Sequence, residues 1–264
     1  MTVLWRGIKV WTAFVLILAL LATSGVIVAI FYDRYQHSKQ MPLALTTPPA
    51  IVEATPAPEL TPVAHPSSAM ITAPLIRQNP ELPAGCEITS LAMLLQYAGV
   101  NKSKMELNEE VPKDETPIEW NKDGTIKSWG NPNIGYVGDA TPKAKGFAIY
   151  HKALLPLMQK YVPSSFDLTE RPFADYEAQI AQGKPVLIWT TINFMEPTNW
   201  VVWDTSIGPI KTTFSEHAVL LVGYDEENVY VNDPYGGKAA YKINKEQFLG
   251  SWEALGKQGL SYTQ

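Results

Sequence analysis

Cysteine is almost absent from this chain: Cys86 is the only one in 264 residues. A lone cysteine closes no internal disulfide, so stability has to come from the core, and cysteine usage says nothing about the redox compartment. Basic charge is sparse too. With 21 Lys and Arg against 26 Asp and Glu, the net charge is -5 and no basic stripe forms, which argues against a nucleic-acid partner. Histidine is scarce, and His37 and His151 have no ligand-like spacing to each other or to carboxylates, so no metal and no other cofactor is expected. No internal repeat is present. What remains is a chain that is 46% apolar, enough for one substantial core with appended segments.

The appended segments come first. After a short tail (1–9), residues 10–32 run for 23 positions without a charge, long enough to span a bilayer with some tilt. A cleavable signal usually has a shorter apolar core and an Ala-x-Ala site, and none follows here. A retained single-pass anchor is therefore expected. Arg6 and Lys9 before the span give a slight bias for an inside amino terminus, placing everything after Tyr32 outside the cytoplasm. Gly25 and Ala29 form a small-xxx-small pair that allows weak self-association of the anchor. Residues 33–73 are rich in proline, with eight between positions 42 and 74, and read as an extended spacer in which His65 is solvated.

From residue 74 to 264 the composition is that of one globular domain. Ile88, Leu91, Ala92 and Leu95 fall at i, i+3, i+4 and i+7, predicting a helix that Gly99 ends. "PFADYEAQIAQG" predicts a second helix closed by Gly183, and "PVLIWTTI" a strand. "EHAVLLVGYDEENVYVNDPYGG" predicts two antiparallel strands joined by a polar turn. A helix near the start and a mostly antiparallel sheet near the end make the fold class α+β. Residues 111–146, dense in Gly, Pro and Asn, read equally as a binding loop or an ordered insert.

Cys86 opens the first helix, where free backbone N–H groups and the helix dipole favour a thiolate. Gly85 before it leaves room for a substrate beside the sulfur. His217 starts the strand "HAVLLVGY", and Asp233 lies sixteen residues further on, at the end of the paired strand. Taken singly, each residue has an ordinary structural reading: a buried thiol, a core histidine, a turn aspartate. In this order they make a nucleophile, a base and its orienter. Gln78, upstream of the thiol, is placed to donate to an oxyanion together with the Cys86 N–H. Trp129 and Trp200 are candidate substrate-cleft walls, with packing in the core as the alternative.

"IRQNPELPAGCEITSLAMLLQYAG", "WGNPNIGYVGD", "GKPVLIW", "EHAVLLVGYD", "VYVNDPYGG" and "FLGSWEALGKQGL" together resemble the extracytoplasmic branch of papain-like cysteine peptidases related to the bacteriocin-processing, double-glycine peptidases. The resemblance covers nearly everything from residue 75 on. It implies a papain-like fold, with Cys86 as nucleophile, His217 as general base and acid, Asp233 as its orienter and Gln78 as oxyanion donor. The chain departs from the pattern in two ways. Glu87 follows the cysteine where many papain-like enzymes have glycine, and there is no G-x-x-x-x-G-K-[ST] loop, so this is not part of an ATP-driven leader-cleaving exporter. The expected function is hydrolysis of a peptide or protein substrate outside the cytoplasm through a thioester. Two alternatives stand beside it: an acyl transferase or transpeptidase using the same thiol, and a non-catalytic papain-like binding module at the cell surface.

Overall fold

The computed structural model describes residues 65–263. The tail, the expected anchor and the linker up to residue 64 lie outside the described residues. Among those described, no helix is long and apolar enough to cross a membrane.

The domain begins earlier than the proline pattern suggests. β1 (Ala69–Met70) pairs with the main sheet, and Ile71 is buried. The expected boundary at residue 74 thus moves back, because the end of a long strand offers free backbone groups that an extended segment satisfies. His65 is not a solvated residue. It hydrogen-bonds the Tyr224 hydroxyl at 3.0 Å and packs edge-on against that ring.

Along the chain follow α1 (Cys86–Tyr97), α2 (Lys104–Glu110), β2 (Lys113–Asp114), β3 (Glu119–Trp120), β4 (Ile126–Ser128), β5 (Tyr136–Val137), α3 (His151–Tyr161), β6 (Ser165–Asp167), α4 (Phe173–Ala181), β7 (Val186–Thr191), β8 (Val201–Thr205), β9 (Gly208–Thr212), β10 (Glu216–Tyr224), β11 (Asn228–Asp233), β12 (Lys238–Asn244), α5 (Lys245–Ala254) and β13 (Gly259–Tyr262). The main sheet runs β12-β11-β10-β7-β13-β6, with β1 alongside the far end of β10. All its pairings are antiparallel. The mixed α and antiparallel β architecture expected from the sequence is present.

α1 carries the nucleophile candidate into the core. The apolar periodicity predicts one buried face, yet every residue from Cys86 to Leu95 is buried, as befits a helix with neighbours on all sides. Ser90 Oγ donates to the Ala218 carbonyl at 3.1 Å, tying α1 to β10. Ile88, Leu91, Met93, Leu94 and Leu95 are fully buried, each contributing roughly 1.5–3 kcal/mol. The helices end at Gly99 and Gly183 as expected, both at positive φ.

Residues 111–146 form an ordered insert. β3, β4, β8 and β9 make a small sheet, and β2 pairs with β5. Asp114 holds the turn, with Oδ1 accepting from the Thr116 N–H and Oδ2 from the Asn131 N–H.

The packing predicts one large steric effect. A Cβ on Gly259 would sit 2.7 Å from Tyr176 Oη. That ring cannot retreat, since its hydroxyl donates to the carbonyls of Leu168 and Lys257. Gly259→Ala should cost about 1–3 kcal/mol, read as a lowered urea midpoint with an unchanged slope.

Candidate active site

The turn preceding α1 and the first residue of that helix meet the start of β10 at a pocket of about 260 Å³. Its lining includes Gln78, Cys86, Phe147, Glu216, His217 and Tyr235. Cys86 reaches it because Gly85 and the turn before it lead straight into the helix. The N-cap Gly85 makes no side-chain cap.

His217 arrives by strand register. It pairs with Thr190 on β7, and Leu220 pairs with Asn232 on β11, which brings Asp233 to the same sheet end. His217 Nε2 lies 2.9 Å from Asp233 Oδ1. An ionised carboxylate only accepts, so Nε2 carries the proton and Nδ1 is left for exchange. Asp233 Oδ1 also accepts from the Tyr235 N–H at 2.9 Å. Burial works to raise the Asp233 carboxyl, but the His217 bond and charge and the backbone N–H groups of residues 235 and 236 outweigh it and hold it below the ordinary range. The Tyr235 ring stands edge-on to the imidazole, 6.2 Å between centroids.

Gln78 is buried, and its Nε2 donates to the Pro83 carbonyl at 2.8 Å. An amide nitrogen has two hydrogens, so one remains for another acceptor. Gln78 Oε1 is buried with no hydrogen-bond partner.

The thiol departs from expectation. Its S–H donates to Glu87 Oε2 at 3.3 Å. Burial first, then the charges of Glu87 and Glu216, push the Cys86 thiol well up. The helix terminus expected to lower it is outweighed, because two carboxylates share the same dry space. Glu87 Oε1 accepts from the Ile149 N–H at 2.8 Å. Burial, only partly offset by these bonds, lifts the Glu87 carboxyl to about 7. Glu216 has other atoms at the surface, but its carboxylate is buried, and burial followed by Glu87 raises it strongly.

A carboxyl with a raised folded-state pKa keeps its proton where the unfolded chain has lost it. Between the ordinary 4.5 and about 7, stability therefore falls as pH rises. Chemical denaturation at about pH 5 and pH 7.5 should show this loss, and Glu87→Gln should flatten it, leaving the part due to Glu216.

Other expected residues fall elsewhere. Gly85 does not line the pocket: a Cβ there would meet Leu82 Cβ at 2.7 Å, so its small size serves packing of the turn rather than substrate. Trp129 is buried against Trp203 and Phe147 and belongs to the core. Trp200 walls a separate cleft of about 570 Å³ with Trp120, Lys145 and Phe214, and the Lys211 ammonium sits 4.6 Å over its ring. Phe214 borders both cavities. Glu216 and Tyr235 escaped the sequence reading. A glutamate beside a histidine at a strand start, and a tyrosine after Asp-Pro, look like ordinary surface residues.

The family model described as the Peptidase_C39-like family matches residues 70–260. The uncharacterized protein YvpB of Bacillus subtilis strain 168 is 37% identical over 182 residues, 69% of this chain and 70% of that protein. A crystal structure of a C39-like peptidase from Bacillus anthracis superposes with a TM-score of 0.67 at 37% identity, covering 75% of this chain and 98% of the other. With the family profile spanning nearly the whole described domain and a relative of this identity, the chain belongs to the Peptidase_C39-like family of papain-like peptidases.

Proposed function

We propose that the domain is a cysteine peptidase that hydrolyses peptide bonds through Cys86, His217 and Asp233 with a thioester intermediate. The observation that carries this reading is the opening of Cys86 and of His217, itself bonded to Asp233, onto one pocket. At rest the thiol is neutral and bonded to Glu87, so attack follows transfer of its proton to His217 Nδ1 as the sulfur adds to the scissile carbonyl. The oxyanion is received by the Cys86 N–H and the free hydrogen of Gln78 Nε2. Imidazolium then protonates the leaving amine, and the neutral ring activates the water that splits the thioester. Asp233 holds the ring in one tautomer throughout. In this proposal residues 10–32 anchor the domain to the membrane and residues 33–64 space it from the outer surface.

The test is a digest of a mixed peptide pool by the full-length chain, with products read by mass spectrometry. New termini with wild type and none with Cys86→Ser support the reading. Identical product lists overturn it. The buried thiol, held protonated beside two carboxylates, favours a second reading as a non-catalytic peptide-binding module, and uncleaved peptides retained by the chain would mark that outcome.

A further inference from the structure

Cys86, Glu87 and Glu216 each bring one ligand atom within 4.8 Å of the other two. Cys86 and Glu216 also line the pocket, and among the described residues no Lys or Arg does. Two acceptors at this pocket are buried without partners: Glu216 Oε1 and, on a residue only 2% exposed, Gln78 Oε1. Buried oxygens left this way are costly unless a donor or a cation fills the space. We infer that Cys86 Sγ and the carboxylates of Glu87 and Glu216 form a site for a borderline-soft divalent cation, Zn²⁺ being the type.

The donor set decides the class of ion. A thiolate with two carboxylates suits Zn²⁺, whereas Mg²⁺ and Ca²⁺ take oxygen alone. Ligand atoms around a tetrahedral ion at the usual Zn–S and Zn–O lengths stand roughly 3.3–3.8 Å apart. Glu87 already places Oε2 3.3 Å from the sulfur, steadied by the Ile149 N–H on its other oxygen. All three ligand atoms lie within 4.8 Å of one another, so closing the set needs side-chain movement of at most about 1.5 Å. The open pocket side leaves a fourth position for water, as in three-ligand sites. On binding, the ion takes the sulfur lone pair, and the thiol proton and any carboxyl proton leave to water. No electron changes hands. While the ion is bound it draws off the charge of the thiolate and stands between the sulfur and an incoming carbonyl, so the site holds back the proposed nucleophile reversibly.

The test titrates the tag-free full-length chain, stripped by chelator, with Co²⁺. A saturable near-ultraviolet sulfur-to-cobalt charge-transfer band at one ion per chain is expected, bleached by Zn²⁺ and indifferent to Mg²⁺. Cys86→Ser should lose the band. Glu216→Gln and Glu87→Gln, checked for fold by circular dichroism, should each need at least about tenfold more Co²⁺. Two results overturn the site: no band in wild type, or an unchanged titration in whichever of these two variants folds. The band does not depend on turnover, so a chain that binds Co²⁺ but cuts no peptide keeps the cation site and loses the peptidase reading. A chain that cuts peptide without the band does the reverse.

Discussion

His217→Ala should lower peptide hydrolysis by about 10²–10⁴-fold. The thiol in this pocket is held protonated by burial and by two neighbouring carboxylates, so it depends on an acceptor for its proton, and His217 Nδ1 is the ring nitrogen not engaged by Asp233. Without the ring, the attack lacks its base and the leaving amine its acid. Asp233→Asn should fall between wild type and the alanine variant, because an amide at the Oδ1 position still meets the ring but no longer fixes its tautomer. Folding is a separate matter. Removing the imidazole leaves Asp233 with the Tyr235 N–H, and the lost bond costs about 1–3 kcal/mol. A denaturation curve for each variant separates this loss from the kinetic one.

Trp189→Ala is expected to produce the largest loss of stability. The side chain is fully buried on β7, the strand between β10 and β13, and deleting it should cost about 3–5 kcal/mol. In a domain of this size that lowers Tm by roughly 6–20 °C. The consequence reaches the site. Trp189 Nε1 donates to the Ile149 carbonyl at 3.1 Å, and the Ile149 N–H donates to Glu87. The backbone of one residue, Ile149, thus links the core to the carboxylate that holds the thiol. Trp189→Phe keeps most of the packing but drops the bond to Ile149, so it should cost about 1 kcal/mol and alter Cys86 alkylation more than other core changes of equal cost.

Much of this arrangement is legible in the sequence. α1, β7, β10 and β11 have strong apolar patterns, and the pairing of β10 with β11 follows from the short polar turn between them. Once those elements are placed, Cys86, Gln78 and His217 come to one pocket, with Asp233 hydrogen-bonded behind His217. Other features depend on tertiary neighbours that no local pattern encodes. Trp129 reads the same whether it faces a cleft or a core, and only the packing of the small sheet against it decides. β1 sits in a proline-rich run, yet the end of β10 recruits it. The raised thiol is the clearest case: a helix start favours a thiolate, but Glu216, 130 positions away in sequence, shares the same buried volume.

The role of Cys86 as nucleophile of an acyl-transfer cycle is open to direct test by mixing the full-length chain with an activated ester and following the intact mass over time. A transient single acyl group is expected, mapped to Cys86 by peptide sequencing, absent in Cys86→Ser and slowed in both formation and decay in His217→Ala. An acyl group that forms on another residue, or a Cys86 that stays unmodified while the ester is consumed, would contradict it.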